Sequence, residues 1–373
     1  MQKKIIVLAL AAAFAAPAFA DTANVNVYGA INMSVESITN GDSVAGAKGS
    51  VMNKISSNTT KLGFKGMQDL GDGVSAIWQI EQQVDGDNAG STGSAKNTFA
   101  TRNTFVGLSD KALGTVQLGK FDTPYKASTR SLDAFGDMLA DNRSLMGGVK
   151  GKSAELAFDG RDGDVVAYIS PEMAGVTLSL AYVVGAEQNT ATTVNPGSAT
   201  SMAATYKAGD LSANLGYEVH NFGTTGSGTL AGTDGQKETA VKIGVGYKLD
   251  ALYLSAIYEK TSDTLAAGTA KYDHNAINVA AKYDLSSNNT VKLAYTKASE
   301  INSVADTGAT QLSLGFDHKL AKTTSVYALY TALNNGDAIN YVLTDAGSTG
   351  GGFTGIGAGS KISAMAVGVK HSF

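Results

Sequence analysis

Two groups of residues have the types that nucleotide or metal sites use, but neither completes such a site. Residues 151–153, Gly-Lys-Ser, resemble the end of a phosphate-binding loop, but Met146 stands where that motif needs its first glycine. Asp159, Asp162 and Asp164 lack the spacing and the closing glutamate of an EF-hand calcium loop, which favours a plain turn. The sequence therefore predicts neither a nucleotide site nor a metal site.

The sequence also contains no recognisable set of residues for covalent catalysis. The four histidines are scattered, and none has a serine or carboxylate partner at a recognisable spacing: His220, His274, His318 and His371. The chain has no cysteine, so it has neither a disulfide framework nor a reactive thiol. We therefore predict that the protein is not an enzyme and carries no cofactor.

The charged residues with the clearest potential role lie in the stretch from Phe121 to Arg161. Four acids and three bases share this long segment: Asp122, Asp133, Asp137, Asp141, Lys126, Arg130 and Arg143. The segment lacks the alternation of its flanks, and a structureless run of such length in a compact chain is typical of a functional loop.

The elements around this segment are short strands. In Asn24 to Val35, apolar side chains alternate with polar ones, and the same period of two recurs in 211–220, 241–248 and 277–283. The runs are about ten residues long, which is the length of a tilted strand that crosses a membrane. A soluble β-sandwich would also alternate, so the pattern alone leaves both folds open.

The connections between the strands favour the membrane barrel. Tight turns such as Asp69 to Gly73 and Lys248 to Ala251 alternate with long Gly/Ser/Thr-rich loops such as Gly223 to Gln236 and Gly336 to Gly359. Short turns at one end and long loops at the other are typical of outer-membrane barrels. We count about sixteen strands, an even number, as closure of such a barrel requires. The predicted fold is all-β, a 16-stranded antiparallel transmembrane β-barrel.

The first residues predict export. Lys3 and Lys4 precede the apolar run from Ile5 to Ala16, and Ala18-Phe19-Ala20 supplies an A-x-A cleavage site, so residues 1–20 are predicted to be a signal peptide and 21–373 the barrel. Without the two lysines the formal net charge falls from −4 to −4 − 2 = −6, which gives no indication of nucleic-acid binding.

Two stretches are specific in combination, TKLGFKGMQDLGDGVSAIWQIE at 60–81 and RNTFVGLSDKALGTVQLGKFDTP at 102–124, and weaker motifs lie at 26–32, 168–175, 318–333 and 367–373. Together they resemble the trimeric general-diffusion porins of Gram-negative bacteria, in particular those of Neisseria and Burkholderia relatives. The resemblance implies a homotrimeric channel in the outer membrane, in contact with its lipid and lipopolysaccharide, that passes small hydrophilic solutes and ions without chemistry. The alternatives are a substrate-specific anion channel and an outer-membrane adhesin.

The resemblance also implies a pore constriction. In this family the third loop, here residues 122–161, folds into the lumen, and its acids face basic residues on the wall. The wall residues that match the family pattern are Lys61, Glu81, Arg102 and Lys120. From the loop we place Asp122, Asp133, Asp137 and Arg143 at the constriction. Three positive wall charges against Glu81 and Asp122 predict a weak preference for anions.

The positions of two tight turns predict, independently of the resemblance, which strand residues lie opposite each other. A turn centred on Gly71 would place Lys61 directly opposite Glu81, and a turn centred on Lys111 would place Arg102 level with Lys120. Simple alternation, however, puts Arg102 and Lys120 on the apolar face of their strands. A bulge or a subunit interface would be needed to resolve that conflict.

The last strand has a pattern of its own. Phe373 ends the chain, and Val369, Val367 and Met365 precede it on one face at steps of two, with His371 between them. This pattern resembles the carboxy-terminal signal that such porins present to the barrel-assembly machinery. The second long loop, Gly86 to Asn97, is predicted to contact a neighbouring subunit.

Overall fold

The structure is a computed structural model that describes residues 25–46, 48–87, 99–148, 158–185, 197–223, 235–263, 273–343 and 357–373. The predicted signal peptide and most of the predicted subunit-contact loop lie outside these residues. No helix in the described ranges is long and apolar enough to cross a membrane.

Strands dominate the described residues. They are β1 (Asn26–Asn40), β2 (Ser50–Ser57), β3 (Lys61–Gly71), β4 (Val74–Gln83), β5 (Thr104–Asp110), β6 (Gly114–Asp122), β7 (Arg161–Ile169), β8 (Val176–Val184), β9 (Ser198–Ala208), β10 (Leu211–Asn221), β11 (Lys237–Leu249), β12 (Leu252–Asp263), β13 (His274–Asp284), β14 (Asn289–Ala298), β15 (Ala309–Lys319), β16 (Thr324–Asn335) and β17 (Lys361–Ser372). Short 3₁₀ turns occupy Arg130–Leu132, Asn142–Ser144 and Ile301–Ser303, and one helix, α1, spans Pro124–Thr129.

The strands form one closed antiparallel sheet. Apart from β2 and β3, consecutive strands pair with each other, and β17 pairs with β1 from Ala30–Ser372 to Asn40–Ile362, which closes the barrel. Both β2 and β3 pair with β1, so these two segments are one barrel strand interrupted at 58–60, where Thr59 has φ +54. The seventeen segments are therefore sixteen barrel strands, which confirms the predicted fold.

The two faces of the sheet differ as the alternation predicts. Apolar side chains on one face are exposed, for example Ile243 at 54% and Leu293 at 49%, while their neighbours Lys242 and Lys292 on the other face are buried. A continuous apolar exterior of this size belongs in contact with lipid rather than water. Closure leaves no unpaired sheet edge facing that lipid.

Turns and loops alternate along the whole barrel. The connections 72–73, 209–210 and 250–251 are two residues long, whereas the segment between β6 and β7 runs from 123 to 160. In the first turn Asp72 and Gly73 both have positive φ, +51 and +86, which matches the twist of the flanking strands. The predicted asymmetry of the two ends is confirmed.

The main apolar core lies against the polar face, under the segment 123–160. Phe135, Leu139 and Leu145 of that segment pack in one cluster with Tyr341 and with wall residues such as Ala294. Many of the wall side chains in this cluster are alanines, which let the segment approach the sheet closely. This core positions the charged residues described next.

Candidate pore constriction

The first charged cluster is centred on Glu81 of β4. Its side chain is only 5% exposed, and it accepts a bond from Arg102 Nε at 2.5 Å and lies 3.5 Å from Lys61 Nζ. Tyr28 of β1 donates its hydroxyl to the same carboxylate at 3.0 Å. A buried carboxylate needs such partners, and here two cations share one acid, which leaves a local positive excess.

The second cluster is centred on Asp122, where β6 ends. Lys126 of α1 lies 2.8 Å from one carboxylate oxygen, and Arg161 at the start of β7 lies 2.9 Å from the same oxygen. Asn103 joins the pair by accepting from Arg161 Nε at 2.6 Å. The two ends of the long segment are therefore tied together at this carboxylate. Burial lowers the pKa of Lys126, and the attraction of Asp122 only partly offsets it.

A third cluster lies within the segment itself. Arg130 and Arg143 both contact Asp141, at 2.9 and 3.0 Å, and both also approach Asp137. Burial alone would raise the pKa of Asp141, but the two guanidinium groups outweigh it and hold that pKa well below its usual range. The segment thus carries two arginines braced by one buried acid.

The three clusters surround one cavity of about 350 Å³. Its lining includes six cations, Lys61, Arg102, Lys126, Arg130, Arg143 and Arg161, and three acids, Glu81, Asp122 and Asp137. Sequence reasoning did not select Arg161 or Asn103. Their only signal was their position at strand ends beside the long segment.

Two predicted residues lie elsewhere. Asp133 accepts from the backbone N–H of Phe135 at 2.9 Å and of Asn142 at 3.1 Å, so it braces the segment from within and does not line the cavity. Burial and the nearby Asp141 raise the pKa of Asp133 to about 7. Lys120 lines a separate cavity beside Leu118, whose side chain is exposed on the apolar face.

The predicted registers are also corrected. Lys61 pairs with Gln83, and Glu81 with Gly63, because the turn lies at residues 72–73 instead of being centred on Gly71, and an irregularity between Asp69 and Gly71 shifts the register by one residue. The two side chains still meet, but diagonally. Lys120 pairs with Thr104 rather than lying level with Arg102.

Several glycines on the polar face of the strands lie directly against the segment between β6 and β7. A Cβ at Gly244 would collide with Leu132, and one at Gly315 would lie 2.6 Å from the ring of Phe135. A Cβ at Gly216 would lie 2.8 Å from Ser128 Oγ and 3.3 Å from the Cα of Tyr125. These glycines allow close approach of another part of the chain, which explains their place inside strands.

A buried polar network fixes the same segment to the wall. Glu259 of β12 accepts from Tyr125 Oη at 2.7 Å and from the Gly147 N–H at 2.8 Å. Lys242 of β11 lies 3.3 Å from Glu259 and contacts Asp159, which ends the segment. Asp159 is thus an ion-pair partner of Lys242, and within the described ranges no group of three or more His, Cys, Asp or Glu residues is placed to hold a metal ion.

One histidine does have carboxylate partners, contrary to the sequence interpretation. His220 contacts Glu238 at 2.6 Å and Glu218 at 3.0 Å, and its ring stacks on Phe158 at 4.8 Å. The cross-strand pairing of His220 with Glu238 creates this contact, which spacing along the chain does not reveal. Both ring nitrogens contact carboxylates, so the ring is held in place where it stacks on Phe158.

A closed sixteen-stranded barrel with an apolar exterior and a charged interior cavity defines an outer-membrane channel protein. The chain belongs to the Gram-negative porin family, whose model matches residues 7–338. It is 28% identical to outer membrane porin protein 32 of Delftia acidovorans and 27% identical to major outer membrane protein P.IA of Neisseria meningitidis serogroup A, each over the full length of both chains.

Solved structures agree. The anion-selective porin from Comamonas acidovorans is 25% identical, with a TM-score of 0.74 over 94% of this chain and 100% of that one. The trimer form of OmpT from Vibrio cholerae shares the fold at 17% identity, with a TM-score of 0.65 over 95% of this chain and 100% of that one. The protein is therefore an outer-membrane diffusion channel.

Proposed function

We propose that this porin passes small hydrophilic solutes without chemistry, with a weak preference for anions set at the cavity between Lys61 and Arg143. The observation that carries the proposal is the charge of the lining, six cations against three acids. The similarity to an anion-selective porin supports the same sign. We further propose that residues 122–161 narrow the lumen at this level.

The physical reason is the focusing of the electric field. Low-dielectric walls concentrate field lines at a narrow level, so charges there outweigh many charges on the surface. Exposed loop charges are screened beyond about 8 Å at physiological salt. The net charge of −4 over the whole chain therefore does not decide the selectivity.

The test is the reversal potential under a potassium chloride gradient in planar bilayers. Wild type is expected to favour chloride weakly, and Lys61→Glu to shift the potential towards potassium. Lys120→Glu is the matched control, because Lys120 lies in a cavity on the apolar face. A cation-preferring wild type, or equal shifts from both variants, would refute the assignment of Lys61.

Saturation separates general from specific diffusion. If current grows linearly with the concentration of each solute tested, the channel is a general one, whereas saturation by one anion alone would favour the substrate-specific alternative. A protein without conductance would favour an adhesin.

We also propose a homotrimer in contact with outer-membrane lipid and lipopolysaccharide, and recognition of Phe373 by the assembly machinery. Val367 and Val369 are exposed on the apolar face, and Phe373 pairs with Gly29 at the closure of the barrel. A native mass measured in mild detergent tests the trimer, and a monomeric mass with intact conductance would contradict it. Deletion of Phe373 is expected to reduce barrel assembly in cells.

A further inference from the structure

A second charged cavity lies on the polar face near the short turns. It encloses about 300 Å³ between the ends of β11 to β15 and shares no lining residue with the constriction cavity. Lys282 and Lys292 line it, together with Tyr253, Thr290 and Asp317. It is therefore a separate place at which a passing solute can stop.

The two lysines are direct cross-strand partners. Lys282 of β13 is opposite Lys292 of β14 in the antiparallel register. Side chains in such a pair have Cβ atoms about 5 Å apart, and like charges there destabilise a sheet. An arrangement that costs stability within a regular sheet is a candidate for a functional role.

Among the described residues, only one of the two lysines forms a direct ion pair. Lys292 pairs with Asp317 at 3.0 Å and lies 4.8 Å from the ring centre of Phe135. Lys282 lies 4.6 Å from the ring centre of Tyr253 and, in the part of the chain that the structure describes, forms no ion pair. An aromatic face attracts an ammonium group but does not neutralise it.

The remaining acids of the cavity do not form an ion pair with Lys282. Asp284 accepts the hydroxyl of Thr290 at 2.6 Å, and Asp250 is exposed in the turn between β11 and β12. Lys282 is itself half-buried, so its charge is less hydrated than that of a surface lysine. The cavity thus offers an anion one ammonium group that forms no direct ion pair among the described residues and a second one beside it.

We propose that this cavity binds a small oxyanion, a phosphate or a carboxylate, whose oxygens bridge Lys282 and Lys292. Charge-assisted hydrogen bonds from two ammonium groups relieve their repulsion, and Tyr253 holds Lys282 in place. The site lies outside the cavity that contains Lys61, so it does not depend on the proposed ion preference.

The first experiment measures thermal unfolding of the purified barrel in potassium chloride, with inorganic phosphate or succinate substituted at constant ionic strength. Wild type is expected to melt higher as either oxyanion is added, because a ligand that binds only the folded state stabilises it. Lys282→Gln is expected to melt no lower than wild type in chloride and to lose the rise. Lys322→Gln, which removes an exposed turn lysine, should retain the rise.

The second experiment measures the chloride current while phosphate is added to the side of the short turns. In wild type the current should fall and saturate, and Lys282→Gln should need about tenfold more phosphate, equivalent to about 1.4 kcal/mol. Lys61→Glu should keep the response. The proposal would be refuted if the rise in melting temperature or the block of the chloride current persisted in Lys282→Gln. It would also be refuted if either effect disappeared only in Lys61→Glu.

Discussion

The strongest test of how the long segment is held is Glu259→Gln. Glu259 accepts from Tyr125 Oη and the Gly147 N–H, and it pairs with Lys242 at 3.3 Å. Glutamine keeps the volume but has one acceptor oxygen, so its amide group faces either the Gly147 N–H or the ammonium of Lys242. At least one buried bond is lost in each orientation, and so is the charge.

The expected cost is about 2–4 kcal/mol. Breaking a buried ion pair costs about 3–5 kcal/mol, and the lower figure here reflects Asp159, which continues to compensate Lys242. About 1.4 kcal/mol corresponds to a factor of ten. The population of molecules in which the segment has detached from the barrel wall should therefore rise by about 30-fold to 1,000-fold.

Single-channel recording and limited proteolysis measure this population. We expect larger current fluctuations and faster cleavage between residues 123 and 160. Glu172→Gln, which changes an exposed acid in the turn between β7 and β8, is the control. If Glu259→Gln shows the current noise and protease resistance of wild type, the network does not hold the segment.

Two further predictions concern the same segment. Gly315→Val should destabilise the barrel by about 1–3 kcal/mol in thermal unfolding, because its Cβ would lie 2.6 Å from the Phe135 ring, whereas Gly163→Val, which meets nothing within 4 Å, should not. The raised pKa of Asp133, about 7, means that the folded state binds more protons than the unfolded state between about pH 4 and pH 7, so stability from this group falls as pH rises through that window. Asp133→Asn should flatten that slope in melting curves taken from pH 4 to pH 8, and an unchanged slope would contradict the assignment.

The barrel was predictable because each strand meets two uniform environments. Lipid on one side and polar groups on the other impose a period of two on runs such as β1, which the sequence displays directly. The interruption between β2 and β3 was not predictable. It lies at Thr59, whose φ of +54 no side-chain pattern signals.

The charged cavity was predictable only in part, because its contacts depend on register and on a segment without periodicity. Glu81 and Lys61 were found through the family resemblance, yet their diagonal pairing follows from the turn at residues 72–73 and the irregularity between Asp69 and Gly71. Arg161 meets Asp122 across 39 residues of chain, so only the folded structure joins them.

Arg102 and Lys120 show what decides the face of a side chain. Both are even-numbered steps from Val106 and Leu118, so alternation assigns both to the apolar face. In β4, Gln79 pairs with Phe105, but two residues later the Glu81 carbonyl accepts from the Arg102 N–H, three residues away from Phe105. This extra residue is a bulge, and it turns Arg102 to the side of Glu81.

Lys120 has no extra residue between it and Leu118 and pairs regularly with Thr104, so its side chain stays on the apolar face. The position of one inserted residue therefore separates a cation of the cavity from one on the exterior.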